Sequence, residues 1–451
     1  MNALFAAAAV ALGGAGLVAL GFPERAGDRR GRALRICLGL ALGLGAWSSA
    51  FAAALLLFGR DARAIAAKDA GLALAGAALL WARRRRPAET GAQGDRSPRW
   101  VQALFVLGAL VCTGAMIEHT LHWPDGGYDA WMIWNLRARF LVRARDFHEA
   151  FSPHLLYWVH QDYPWLVPGV VAQATLLRHG DATLVAETVS FLFGALAVAV
   201  LCLSLSRLRG PLWGTLGGLV LLGTPCFSVF IANQQSDVPL AVYVVVAASL
   251  LAFALEDPRR PSTTFLLAGL AAGLGAWTKN EGLLYAGCFF VALSWRLREA
   301  RPLLWFAAGF SPPAALLAGF KATVALPNDL LRFSTAAGVV ARAFDLHRWA
   351  QLLVMALRRI VFFQNFALWL VAEVLLLLLV LRKRKAGPLG LALLFAFAAY
   401  VPIYLLQPHP LDWLFRTSID RIVIQLWPAL ILTTLAALAP PPAPGQTRAR
   451  T

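Results

Sequence analysis

The stretch "SDVPLAVYVVVAASLLAFALEDPRR", residues 236–260, decides the fold. From 237 to 255 it is an apolar run of about twenty residues, the length an α-helix needs to cross a hydrocarbon core. One acid opens the run, and two arginines, Arg259 and Arg260, follow it. The pattern recurs along the chain. Apolar runs lie near 3–22, 34–58, 70–82, 101–117, 182–206, 211–231, 237–255, 263–277, 282–295, 303–320, 366–381, 387–406 and 420–438, which makes about thirteen candidate spans. With 59% hydrophobic and 14% charged residues and a mean hydropathy of +0.64, the chain is far more apolar than a soluble domain. An all-α polytopic membrane protein is predicted.

The net charge of +17 sits in short clusters between these runs. They are Arg25/Arg29/Arg30/Arg32, Arg83 to Arg86, Arg207/Arg209, Arg259/Arg260, Arg296/Arg298/Arg301, Arg382/Lys383/Arg384/Lys385 and Arg448/Arg450. The positive-inside rule places them in the cytoplasm, so the charge is topological and no nucleic-acid partner is implied. The loops "EHTLHWPDGGYDAW…HQDYPW", "NQQSD", "TKNEG", 321–365 and "QPHPLDWLFRTSIDR" then face outward. The 321–365 loop is more basic than an outward loop should be, although long loops weigh less in the rule. The apolar segment 163–177 would invert every later loop if it crossed, so a re-entrant or surface-lying helix is expected there, with Pro164 and Pro168 at its start and bend. Residues 1–22 lack a basic n-region and read as a mature first helix rather than a signal peptide. The five cysteines fall within or at the edges of apolar runs, with no CxxC and no histidine at ligand spacing, so neither a disulfide framework nor a zinc site is implied.

The outward loops carry isolated polar groups beside apolar runs. At 100° per residue, Asp129, Ile133, Leu136 and Phe140 share one face of the stretch "DGGYDAWMIWNLRARF", with Trp131, Trp134, Ala138 and Leu141 on the other. Arg137 and Arg139 would project from the flanks, which suits a helix at the membrane surface with tryptophans at headgroup depth. Asp129 does not suit a mere anchor. A carboxylate on an apolar face costs desolvation, so it is a functional candidate. His160, Asp162 and Tyr163 precede Pro164, Asp237 opens a span in a position that also suits a helix cap, and His409, Asp412, Asp420 and Arg421 cluster before the last span. Lys279 is one of few lysines in an arginine-rich chain and lies between two apolar runs on the side where basic charge is disfavoured. A compact ammonium there suits an anion such as phosphate.

Taken together, "YDAWMIWNLRARFL", "HQDYPWLVPG", "SDVPLA", "GLGAWTKNEGLLY" and "TSIDRIVIQLWP" resemble the bacterial GT-C integral-membrane glycosyltransferases. That group, glycosyltransferase family 39 among it, includes protein O-mannosyltransferases and the lipid A aminoarabinose transferase. The resemblance spans 101–438. It implies a GT-C fold whose first outer loop, 118–181, carries juxtamembrane helices and a catalytic acid, with a second acid in a later loop. It implies donors that are sugars on a polyprenyl phosphate, and acceptors that are glycans, lipids or proteins. Asp129 matches the first-loop acid and would act as general base, with inversion at the sugar; Asp237 falls where the second acid is expected. Lys279 and Arg421, with Arg137 and Arg139, would meet the donor phosphate, and His160, Asp162 and Tyr163 resemble the loop motif that follows. Many relatives carry two adjacent acids, whereas Ala130 follows Asp129. That departure leaves metal dependence open: the resemblance implies no certain cofactor, and if a divalent cation is used, Asp129 and Asp237 are the acids to hold it.

Residues 1–100 show no resemblance and read as accessory transmembrane helices, and 439–451 as a Pro-rich cytoplasmic tail. The implied location is a bacterial inner membrane, in contact with its lipids. The competing class is a transporter or flippase of lipid-linked sugars, which would place its polar groups at the midplane of two related halves; here they gather on one side.

Overall fold

The computed structural model describes residues 3–22, 25–26, 28–83, 89–90, 97–155, 159–178, 182–297, 299–324, 328, 334–361, 367–382 and 387–439. The architecture is all-helical apart from a two-residue parallel bridge between Arg25–Ala26 and Glu89–Thr90. The helices are α1 (Ala3–Gly21), α2 (Arg29–Phe58), α3 (Ala62–Arg83), α4 (Arg99–His122), α5 (Asn135–Arg143), α6 (Leu166–Arg178), α7 (Ala182–Arg209), α8 (Pro211–Leu222) and α9 (Pro225–Ala232). They continue with α10 (Asp237–Glu256), α11 (Ser262–Thr278), α12 (Asn280–Leu297), α13 (Ala300–Thr323), α14 (Ala336–Ala343), α15 (Leu346–Val361), α16 (Ala367–Arg382), α17 (Gly387–Leu406) and α18 (Leu411–Leu438).

Among the described residues, nine helices are long and apolar enough to cross a membrane, and α8 with α9, bent by 66° at their junction, is either a tenth, broken span or a re-entrant loop. The bend falls where Pro225 interrupts the ladder. The three other expected spans are helices too: α11 has 17 residues, α12 has 18 and a polar first turn, and α16 has 16.

Helix α10 is the axis of the bundle, buried from Asp237 through Ala252 and enclosed by α7, α11 and α18. Its valine run is helical because only a helix satisfies every backbone group without water. Where lipid removes the hydrophobic drive for association, close approach of small residues replaces it. A Cβ at Gly14 would stand 1.9 Å from the Gly39 carbonyl oxygen, and one at Gly269 equally close to that of Phe306, so these glycines set the α1/α2 and α11/α13 contacts.

One expectation narrows. The segment 163–177 forms α6, 13 residues and thus about 20 Å long, too short to span. Its residues Leu166–Gln173 are all buried, so it does not lie on the surface. Of the N-terminal helices, α2 is packed into the bundle. Helix α2 packs against α6, α7, α11 and α13, Ser48 Oγ donates to the Leu166 carbonyl at 2.7 Å, and the Tyr243 hydroxyl in α10 donates to the Ala41 carbonyl at 3.0 Å.

The basic 321–365 loop has a physical explanation in α14 and α15. Arg342 donates to the Leu406 carbonyl, and Arg348 to those of Tyr404, Leu405, Gln407 and His409. These arginines cap the C-terminal carbonyls of α17, where the helix dipole favours positive charge. At the other end of the bundle, Arg209 pairs with Glu256 and Arg260 with Glu299, so the described basic clusters there lie opposite the polar site. The clusters at Arg84–Arg86 and Lys383–Lys385 and the tail from 440 onward lie outside the described residues.

Candidate functional site

The first loop reaches the site because two glycines let it lie flat on the turn before α10. Gly126 has φ +78°, and the Gly127 amide donates to the Asn233 carbonyl at 3.0 Å. Asn135 Nδ2 donates to Gln234 Oε1, and Gln234 Nε2 to the Pro124 carbonyl, each at 2.8 Å. This clasp holds the segment bearing Asp129 against the one bearing Asp237.

Asp129 precedes a π-helical turn, Ala130–Trp134, which runs into α5. Such turns are frequent at functional sites. Here the buried stripe is Ala130, Ile133, Trp134, Arg137, Ala138 and Leu141, one helical face that lies between the two expected from the sequence and is centred on the flank that carries Arg137. Trp131 and Tyr128 stay exposed and meet edge to face at 5.2 Å; Trp134 is buried and stacks on Tyr163 at 5.5 Å.

Four residues singled out from the sequence form one continuous chain of ion pairs. Asp129 Oδ2 lies 2.6 Å from Arg421 Nη1, and Arg421 Nε lies 3.2 Å from Asp237 Oδ2. Asp237 Oδ1 then lies 2.9 Å from Lys279 Nζ, and Lys279 reaches Glu281 Oε1 at 3.0 Å. Lys279 is placed by an extended break between α11 and α12. The two inner partners are buried, with side chains 1% and 0% exposed for Lys279 and Asp237, whereas Asp129 and Arg421 are 19% and 20% exposed. A buried charge is tolerable only when fully paired. Gln425 completes the pairing of Asp237 with a 2.5 Å hydrogen bond, and its own amide oxygen accepts from the Tyr285 hydroxyl, which meets Tyr400.

A second polar cluster adjoins the first through Asn280. Asp162 Oδ2 accepts from Asn280, Asn328 and Lys321 at 2.7, 2.8 and 3.2 Å, and Lys321 also bonds the Asp162 carbonyl and Asn280 Oδ1. Burial opposes the Asp162 charge, but Lys321 and the two amides outweigh it and hold the carboxyl below its usual pKa. Arg137 does not project from a flank. It is buried, its guanidinium donating to the carbonyls of Val159, His160 and Tyr163, and burial pulls its pKa down to about 10 despite Asp162 and Tyr163 nearby. The 159–163 turn, with His160 at φ +50°, is thus held between two cations. It presents His160 stacked on Tyr163 at 4.9 Å, with Lys279 Nζ 5.6 Å from the Tyr163 ring. Arg139 instead pairs with Asp125 at 2.6 Å on the exposed rim.

Asp129 and Asp237 do not fit a divalent-ion site, because the Arg421 guanidinium bridges them. No group of three or more His, Cys, Asp or Glu among the described residues is arranged to hold a metal. Tyr285, Lys321 and Gln425 were not among the expected site residues. Gln425 follows Arg421 by one helical turn, and Tyr285 follows Glu281 by one, so helical spacing was the signal that could have found both.

An all-helical bundle with this charged chain at one end defines a polytopic membrane protein with a built polar site. Residues 162–316 match the family model described as dolichyl-phosphate-mannose-protein mannosyltransferase, which supports a membrane glycosyltransferase of the GT-C type. The matched segment carries Asp162, Tyr163, Asp237 and Lys279, while Asp129 and Arg421 lie outside it. Neither the curated proteins nor the solved structures include a significant match.

Proposed function

We propose that the protein transfers a sugar from a polyprenyl-phosphate donor to an acceptor hydroxyl, with Asp129 as general base. The acceptor is a glycan, a lipid or a protein. The reading takes the site end of the bundle as the outer, periplasmic side of a bacterial inner membrane. The observation that carries it is the asymmetry of the two acids on Arg421. Asp237 is enclosed and fully paired, whereas Asp129 is partly open at the chain's accessible end.

Arg421 masks Asp129 in the free protein. The donor phosphate competes for the guanidinium, drawing Arg421 from Asp129 and releasing the carboxylate. Asp129 then takes the acceptor hydroxyl proton as that oxygen bonds to the anomeric carbon. The bond from that carbon to the phosphate oxygen breaks, the configuration inverts, and the lipid phosphate leaves with its electron pair. Arg421 stabilises the growing phosphate charge, and one such donor in a dry site accounts for about 10²–10³ in rate. Lys279 acts from below, holding Asp237 and Glu281. Arg137 holds the turn that carries His160 and Tyr163, and Arg139 at the rim attracts the anionic donor.

The test compares wild type with Asp129→Asn in membranes supplied with labelled polyprenyl-phosphate sugars. Transfer by wild type and none by a normally folded variant supports the reading. Equal turnover rejects Asp129 as base. Label that crosses the bilayer still attached to its lipid favours the flippase reading instead.

A further inference from the structure

Helix α15 is amphipathic and presents three distinct sides. Leu352 is buried, and Met355 and Ala356 pack beside it against the bundle. A second side carries His347, Gln351 and Arg358, all exposed, with Gln351 and His347 hydrogen-bonded at 2.9 Å. The third side is apolar and uncovered: Leu346, Trp349, Leu353 and Leu357 follow one another at helical spacing, and Phe344 precedes them, itself 81% exposed. A stripe of this kind in water would carry a large hydrophobic cost.

The occupant of that stripe follows from where the helix is fixed. Arg348 binds the helix to the last carbonyls of α17 and to the turn before α18, which sets it at the level where membrane-crossing helices end. Helix α15 also contacts α16, whose Leu375, Leu378 and Leu379 are exposed as a lipid-facing side chain would be. The uncovered stripe therefore continues the lipid-facing belt of the bundle. Charge agrees: residues 336–361 contain four arginines against one aspartate, and basic flanks favour anionic headgroups.

We infer that α14 and α15 form a surface-lying lipid-docking element, with Leu346, Trp349, Leu353 and Leu357 immersed in an anionic leaflet at the site end of the bundle. The element also connects to the site through hydrogen bonds. Tyr404, whose carbonyl accepts from Arg348, also hydrogen-bonds Ser418 at 2.7 Å, and Ser418 lies within one helical turn of Arg421.

The test places an environment-sensitive fluorophore at Leu353→Cys or Gln351→Cys in the full chain. The protein is reconstituted in vesicles of three parts phosphatidylcholine to one part phosphatidylglycerol. The native cysteines are buried or half-buried, and both chosen positions are exposed, so labelling does not require unfolding. The expected result is a blue-shifted label at 353, quenched by lipid-borne nitroxide and shielded from aqueous iodide, with the reverse at 351. Iodide access at both positions overturns the proposal. Shielding of 353 from both quenchers also overturns it, because protein then covers the stripe. In pure phosphatidylcholine the label at 353 should become more accessible to iodide; unchanged access overturns the anionic preference.

Discussion

Arg421 Nη1 lies 2.6 Å from the Asp129 carboxylate, while Nε of the same guanidinium meets Asp237. One planar fork thus joins the first large loop to the helix at the centre of the bundle. Lysine keeps the charge but not the fork. Arg421→Lys should fold, because Lys279 and Gln425 still pair Asp237, yet lose about 10²–10³ in transfer rate. Donor turnover beside a thermal melt of the same preparation checks this; a normal rate would remove the bridge from the mechanism.

Lys279 should matter more for stability than Arg421 does. Lys279→Met leaves Asp237 without one of its two cations in a buried setting, a loss of about 3–5 kcal/mol. Adding Asp237→Asn removes the stranded charge and should restore much of that loss. A double-mutant cycle by denaturation in detergent measures the coupling, and additive effects would show that the pair is not coupled.

The Asp162 cluster should respond to acid in one direction. Its folded pKa is depressed, so its stabilisation is fully present above the unfolded value of about 3.9 and is lost as pH falls through the lower folded value. Asp162→Asn should therefore lower stability at neutral pH and flatten the acid limb of the melting-temperature profile. Parallel profiles for wild type and variant would count against the assignment.

Removal of α1–α3 should abolish folding rather than trim the protein. Helix α2 supplies the Ala41 carbonyl that accepts from Tyr243 and the Ser48 hydroxyl that holds the start of α6. A chain beginning at residue 98 is expected to aggregate in detergent. Recovery of a monodisperse, active fragment by size exclusion would show that these helices are dispensable.

Much of this was legible because lipid makes sequence speak plainly. Every apolar run became a helix, and Asp129, Asp237, Lys279 and Arg421 stood out because isolated charges beside such runs are costly. Their pairing was not legible. Nothing in the spacing of Asp237 and Lys279 says that one ammonium will lie between two carboxylates, since that depends on how α10, α11 and α12 pack. Arg137 was misplaced because the wheel offered two greasy faces with Arg137 on the flank between them, and the side that packs inward is that flank, Ala130, Ile133, Trp134, Arg137, Ala138 and Leu141. The burial of α2 was hidden because its glycines and alanines look the same whether they face lipid or another helix.

The position of Arg421 late in the chain bears on biosynthesis. The acids Asp129, Asp237 and Glu281 are all made before α18, and until that helix is inserted the carboxylate of Asp129 lacks the guanidinium that pairs it in the folded protein. A nascent chain stalled before α18 thus holds an uncompensated acid near lipid, a local defect that membrane quality control could read. The pairing of the first loop with the centre of the bundle is thus completed only when α18 has threaded and packed.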